Sequence, residues 1–181
     1  MKNNESTKKM IVAKARNLLF TARDGEITMN AIAKDLGMTA PTLYHYFKGK
    51  DELLESAKNL VVDEVAEVVA ISSKFPPSMP AEMRIITLTS LLADYFLKSG
   101  VPASYILEDF SPSPLLKEFR SKFEELFDTF FKTKKPDTKI SYKQATLRHL
   151  ALMQADVLYY KSIGAKIPEN FAEVIFDKVV E

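Results

Sequence analysis

A chain of 181 residues, 46% hydrophobic and 27% charged, is long enough to bury a substantial core, as one domain or as a small one beside a larger one. It has no cysteine, which excludes disulfides, thiolate chemistry and cysteine-ligated zinc. No apolar run approaches a membrane span, and Lys14 and Arg16 interrupt the one candidate signal-peptide core, so a cytoplasmic protein with no membrane partner is expected. The net charge of +1 hides an asymmetry: residues 1–50 hold nine Lys/Arg and four Asp/Glu, and residues 51–181 hold sixteen and twenty. A basic head ahead of an acidic body directs a polyanion partner to the head alone.

In chain order, residues 1–4 read as disordered. Ile11, Ala15, Leu18 and Leu19 then recur at helical spacing and predict a helix from about Glu5 to Thr21, with Lys8, Lys9, Lys14 and Arg16 over much of its remaining surface. Asp24-Gly25 marks a turn. Thr28 is a good N-cap for a helix whose Ile32, Ala33 and Leu36 share one face, and Gly37 follows where a left-handed C-cap is needed. Thr39 caps a third helix, with Pro41 in its first turn, where the missing N–H costs little. At about six residues this helix is too short to stand alone. Leu43 and Phe47 must dock it, with Ala40, Thr42, Tyr44, His45 and Tyr46 distributed around its other faces. Ile11, Leu18, Phe20, Ile32, Leu36 and Leu43 are the candidate core of the head. A fourth helix starts near Gly49 and carries Leu54, Ala57, Val61, Val65 and Val68 to about Ser72, with Asp51 and Glu52 suiting its dipole.

Pro76, Pro77 and Pro80 then break the chain. A helix follows from Pro80 to Ser99, ended by Gly100, and a short one is expected over 102–110 before Ser111-Pro112-Ser113-Pro114. Leu116, Phe119, Phe123, Phe127 and Phe130 line a long helix. Ser141 to Ile163, closed by Gly164, and Pro168 to Val180 complete the series. With no strand alternation and no repeats, the fold class is all-α with about nine helices.

The stretch ITMNAIAKDLGMTAPTLYHYFKGKDELL (27–54) resembles the signature of tetracycline-repressor-type (TetR) transcriptional regulators. The likeness is carried by Thr28, Ile32-Ala33, Leu36-Gly37, Thr42-Leu43-Tyr44, Phe47, Lys50 and Leu53-Leu54, and it covers roughly residues 8–57. The resemblance implies a helix-turn-helix DNA-binding domain over 1–49 and a helical effector-binding and dimerisation domain over 50–181. It implies a partner in double-stranded operator DNA. Thr39, Ala40, Pro41, Thr42 and His45 would face base edges in the major groove, while Thr28, Tyr44, Tyr46 and Lys50 would hold phosphates. The methyls of Ala40 and Thr42 suit thymine, and His45 can donate to a purine acceptor. No Arg or Gln stands in this helix to make a bidentate base contact, so the operator is not readable from it.

By the same resemblance the last two helices pair with their copies in a homodimer, through Leu147, Leu150, Ala151, Leu158, Phe171 and Ile175. The alternative is that these faces pack inside one chain. In the body, Tyr95, Tyr105, Phe110, Phe127, His149 and Met153 form a candidate pocket for a small apolar or aromatic effector, against the plainer reading that they are core. The catalytic inventory is thin: two histidines support no metal cluster, no Gly-rich phosphate loop exists, and no nucleophile has a base at recognisable spacing. No catalytic residue, metal or cofactor is expected. The function expected is a repressor released from its operator by a ligand. Its rivals are a DNA-binding regulator with no small-molecule effector, and an α-helical enzyme or binding protein with an incidental helix-turn-helix.

Overall fold

The computed structural model describes residues 2–20, 27–102, 114–136 and 138–180, with the side chains of 2, 3 and 114–118 excepted. The described residues form eight α-helices and one 3-10 turn, and no strand occurs among them. In order these are α1 (Lys2–Leu19), α2 (Met29–Asp35), α3 (Ala40–Tyr46), α4 (Lys50–Ala70), the 3-10 turn Ile71–Lys74, α5 (Ala81–Ser99), α6 (Pro114–Lys134), α7 (Tyr142–Ser162) and α8 (Phe171–Val180). The fold is all-α, as expected. Residues 103–110 of the short helix expected over 102–110 lie outside the described residues.

Two ends differ from expectation. Helix α1 starts at Lys2, so residues 2–4 are helical; a Glu5–Lys9 pair one turn apart (3.4 Å) supports this exposed first turn. Helix α8 starts at Phe171 instead of Pro168, because residues 168–170 form a turn closed by the Phe171 N–H on the Pro168 carbonyl (3.1 Å). Proline set the expected start by its usual place in a first turn, but here that turn is not continuous with the helix.

The chain divides into two compact units, Met1–Glu64 and Val65–Glu181, and α4 begins in the first and ends in the second. In the first unit, the Thr28 side chain caps α2 by accepting the Ala31 N–H at 3.1 Å. The helix stops at Gly37, whose φ of +64° lets its N–H reach the Lys34 carbonyl and the Met38 N–H reach that of Ala33. This turn aims α3 back onto α2. Ile11, Ile32, Leu43 and Leu53 are fully buried, Ala33 and Phe47 nearly so, and Leu18 and Leu36 pack against them. From α4 the head core takes Leu53 and Ala57, with Leu54 half-buried. A two-pronged ion pair from Arg16 to both carboxylate oxygens of Glu64 (2.8 and 2.7 Å) fastens α1 to α4.

The second unit packs α5, α6, α7 and α8 against one another. Ile85, Leu88, Leu92 and Phe96 from α5 meet Phe119, Phe123, Phe127 and Phe130 from α6, and α8 adds Phe171, Ile175, Phe176 and Val179. A reciprocal cap starts α7: the Ser141 hydroxyl accepts the Gln144 N–H (3.3 Å), and the Gln144 side chain accepts the Ser141 N–H (2.8 Å). Before α5, Arg84 gathers the carbonyls of Pro76, Pro77 and Met79 at 3.0, 2.9 and 2.8 Å, so a single guanidinium fixes the proline loop.

Gly37→Ala is expected to destabilise the first unit by roughly 1–2 kcal/mol, since a Cβ in the left-handed region is strained even where nothing crowds it. Gly49→Ala, with neither constraint, is expected to stay within about 0.5 kcal/mol of the parent. Urea unfolding of the two variants checks this, and equal losses would contradict the role given to Gly37.

Candidate functional site

Helix α3 shows how a short element presents polar groups. Of its residues only Leu43 is buried, and Phe47, just past its end, is 1% exposed. Burying these two side chains contributes roughly 3–6 kcal/mol, which outweighs the weak helix-forming tendency of seven residues. Thr39, Pro41, Thr42, Tyr44 and His45 are exposed, and Ala40 and Tyr46 are half-buried against the head core. Thr39 stands at the N-cap position, yet its hydroxyl does not cap the helix; it pairs with the Thr42 hydroxyl at 2.9 Å. This pair fixes both side chains and turns their methyls to defined places. The His45 and Tyr46 rings meet edge to face at 5.4 Å.

The flanks carry donors. Thr28 accepts a backbone N–H and so keeps its own hydroxyl proton to give. Lys50 opens α4, where Glu52 accepts the Lys48 N–H at 2.7 Å and holds the turn between α3 and α4. Lys8 lies 5.1 Å from the Phe47 ring centre, a cation–π contact that brings a positive charge from α1 to the end of α3. The sequence pattern named every exposed group on α3. It missed Lys8 and Glu52, whose contacts depend on the fold.

In the second unit, Phe127, His149 and Met153 are all fully or almost fully buried. His149 Nε2 lies 2.7 Å from the Thr89 hydroxyl oxygen, and that hydroxyl is 2.7 Å from the Ile85 carbonyl. A carbonyl can only accept, so the threonine gives its proton to Ile85 and receives one from Nε2. The imidazole is therefore the neutral Nε2–H form, and its buried Nδ1 lone pair has no partner among the described residues. An orphaned buried acceptor costs roughly 1–3 kcal/mol. The rings of Phe127 and Phe123 lie 5.3 and 5.7 Å from the imidazole, and burial among them lowers its pKa from 6.5 to about 3. Tyr95 is half-buried on α5 beside Phe96 (5.3 Å). Tyr105 and Phe110 lie outside the described residues.

Two half-open clefts mark this unit. One, of about 500 Å³, is lined by Ala66, Val69 and Ser72 and by Phe119, Lys122 and Glu125 of α6. The other, of about 450 Å³, lies between α5 (Ala93, Leu97) and the turn at Ile167 and Pro168. Neither is lined by Phe127, His149 or Met153.

Of the residues expected to pair two chains, Leu150, Phe171 and Ile175 are buried in the body's own core, at 1%, 5% and 0% exposure. They are not surface groups. Leu147, Ala151 and Leu158 are exposed along one side of α7, and Tyr159, Ile163 and Val174 are further exposed apolar residues. Among the described residues no helix is long and apolar enough to cross a membrane, and no group of His, Asp and Glu gathers as a metal site.

The buried imidazole makes stability depend on pH. In the unfolded chain His149 takes up a proton below about 6.5, whereas in the fold it stays neutral down to about 3. The unfolded state thus binds more protons in that window, and stability falls as the pH drops through it, by at most about 1.4 kcal/mol per pH unit. Between pH 7 and 5 the parent is expected to lose about 2 kcal/mol more than His149→Leu in urea unfolding. Equal losses would contradict a neutral buried imidazole.

Residues 11–57 match the family described as bacterial regulatory proteins, tetR family. No curated protein matches the chain. Among solved structures it resembles the fatty acid degradation regulator FadR from Bacillus halodurans, with a TM-score of 0.72 and 14% identity over 96% of this chain and 94% of that one. It also resembles a TetR transcriptional regulator from Chloroflexus aurantiacus J-10-FL, with a TM-score of 0.70 and 17% identity over 99% and 95% of the two chains. A gamma-butyrolactone receptor, an ArpA-like protein, gives a TM-score of 0.68 and 14% identity over 99% and 96%. At such identities these likenesses speak for the fold, and the N-terminal match speaks for the head. Residues 11–57 thus carry the N-terminal domain of the tetR family of bacterial regulatory proteins, and the chain as a whole has the fold of these solved regulators.

Proposed function

We propose that the protein is a homodimeric repressor that leaves its operator when a small apolar or aromatic molecule binds the body. The observation that carries the reading is α3, a docked helix whose Thr39, Pro41, Thr42, Tyr44 and His45 are exposed while Leu43 and Phe47 are buried. In this reading residues 1–49 read DNA, and residues 50–181 bind the effector and the second chain. Thr39, Ala40, Pro41, Thr42 and His45 face bases; Thr28, Tyr44, Tyr46 and Lys50 hold phosphates. The protein is not an enzyme.

A single short recognition helix gives too little surface for useful affinity, so two heads are needed. The exposed row Leu147, Ala151 and Leu158, with Leu158 63% exposed, is the surface on which the second copy sits. For the effector, support comes from Phe127, His149 and Met153, brought together in the core with an unpartnered acceptor, and from the gamma-butyrolactone receptor among the structural relatives. The tight packing of these same side chains favours the rival regulator with no effector. The orphaned acceptor weighs against that rival, because a core with no ligand to receive has no use for it. A ligand releases DNA only by favouring a conformation in which the heads no longer fit, and couplings of about 1–3 kcal/mol weaken binding roughly 5–150-fold.

Lys50→Ala is expected to weaken binding to every duplex and to lower the salt slope of affinity by about one unit, as loss of one phosphate contact does. Thr42→Val should change which operator is preferred. Fluorescence anisotropy over a salt series and a set of duplexes checks both, and uniform weakening by Thr42→Val would overturn its place at the bases. Leu158→Asp is expected to convert the dimer to monomer and to reduce operator affinity. Sedimentation of the parent as a monomer at micromolar concentration, with full operator affinity, would sink the dimer.

A further inference from the structure

The orphaned nitrogen of His149 says what kind of molecule the body can receive. Its ring is held by Thr89 in one tautomer, so Nδ1 is an acceptor and cannot donate. Burial keeps the ring uncharged down to a pH of about 3, so it offers no positive charge to a carboxylate. Its ring neighbours are aromatic carbons, Phe123 and Phe127. A partner for this site must be apolar where it meets those rings and must bring a hydrogen-bond donor.

A cleft lies two rings away from the imidazole in the same unit. The cleft of about 500 Å³ ends on Phe119, a volume within the usual range for small-molecule sites. The Phe119 ring lies 5.4 Å from that of Phe123, one turn along α6, and Phe123 lies 5.7 Å from the imidazole. Phe119 and Phe123 are therefore the two rings that stand in series between the cleft and the imidazole. The cleft's opposite wall is Ala66, Val69 and Ala70 near the end of α4, so its occupant also touches the helix that starts at Lys50.

We propose that the effector is a neutral, largely apolar molecule bearing a hydroxyl or N–H donor, which enters at the Phe119 cleft and gives that donor to Nδ1 of His149. This rests on the reading of the protein as ligand-responsive and narrows the class of ligand. A donor satisfies the orphaned acceptor, whereas a methyl ether or N-methyl group in its place leaves it buried and unpaired. Carboxylates are excluded from this position by the absence of a charge to meet them.

The test uses the full chain, labelled with ¹⁵N, and probes in matched pairs: 2-naphthol with 2-methoxynaphthalene, and indole with 1-methylindole. Binding is measured by calorimetry, and the His149 Nδ1 resonance is followed in two-bond ¹H–¹⁵N spectra. The donor-bearing member of a pair is expected to bind at least about tenfold tighter, to move the Nδ1 resonance, and to lose its advantage in His149→Leu. The spectroscopic readout needs no variant, so it stands even where His149→Leu does not fold. Equal binding within both pairs, or bound naphthol and indole with an unmoved Nδ1 resonance, would overturn the proposal while leaving a ligand-responsive body in place. No binding by any of the four at millimolar concentration would overturn the proposal together with the reading it rests on.

Discussion

The docking of α3 by Leu43 and Phe47 is the constraint on which the head depends. Seven residues cannot hold a helix in water, because nucleation costs more than so few hydrogen bonds return. Two buried side chains supply what the backbone lacks, and their position one turn apart decides which residues are left outward. Gly37 sets the angle of approach, and the Lys48–Glu52 contact holds the exit. The exposed face of α3 is thus a consequence of its core face. A substitution at Leu43 would therefore disturb the whole outward face of α3, although Leu43 itself is buried.

The body follows a different logic. Its four packed helices are held by a ladder of rings: Phe119 on Phe123, Phe123 and Phe127 on His149, Phe127 and Phe130 on Phe176. His149 sits inside this ladder, anchored on one side by Thr89 and, among the described residues, unpartnered on the other. Buried polar groups are seldom left in this condition, since an apolar residue of similar size would avoid the penalty.

Much of the fold was legible because its signals are local. Thr28, Gly37, Ser141 and Gly164 stand at helix ends, where capping chemistry restricts residue choice, and the structure places a cap or stop at each. The outward residues of α3 were legible for the same reason: with Leu43 and Phe47 fixed inward, helical geometry decides the rest. The proposed dimer surface was not. Apolar residues lie all round α7, so periodicity cannot tell a core face from a face awaiting a partner; Leu150 turned out to be core and Leu147 surface. On α8, Phe171 and Ile175 were taken by the body for the same reason. The Thr89–His149 bond joins residues 60 apart in sequence, and neither residue carries a local mark of the other. The cleft at Phe119 likewise arises from packing between elements far apart in the chain.

In the proposed function the exposed face of α3 reads a particular DNA sequence, and two copies of it do so together. Selection of random duplexes by the purified protein, followed by sequencing of those retained, tests it directly. The expected result is enrichment of a two-fold symmetric motif whose half-sites lie about one helical turn apart, or a whole multiple of it, with binding that weakens as salt rises. Retention of duplexes without any enriched motif, or of a single unpaired half-site with undiminished affinity, would contradict it.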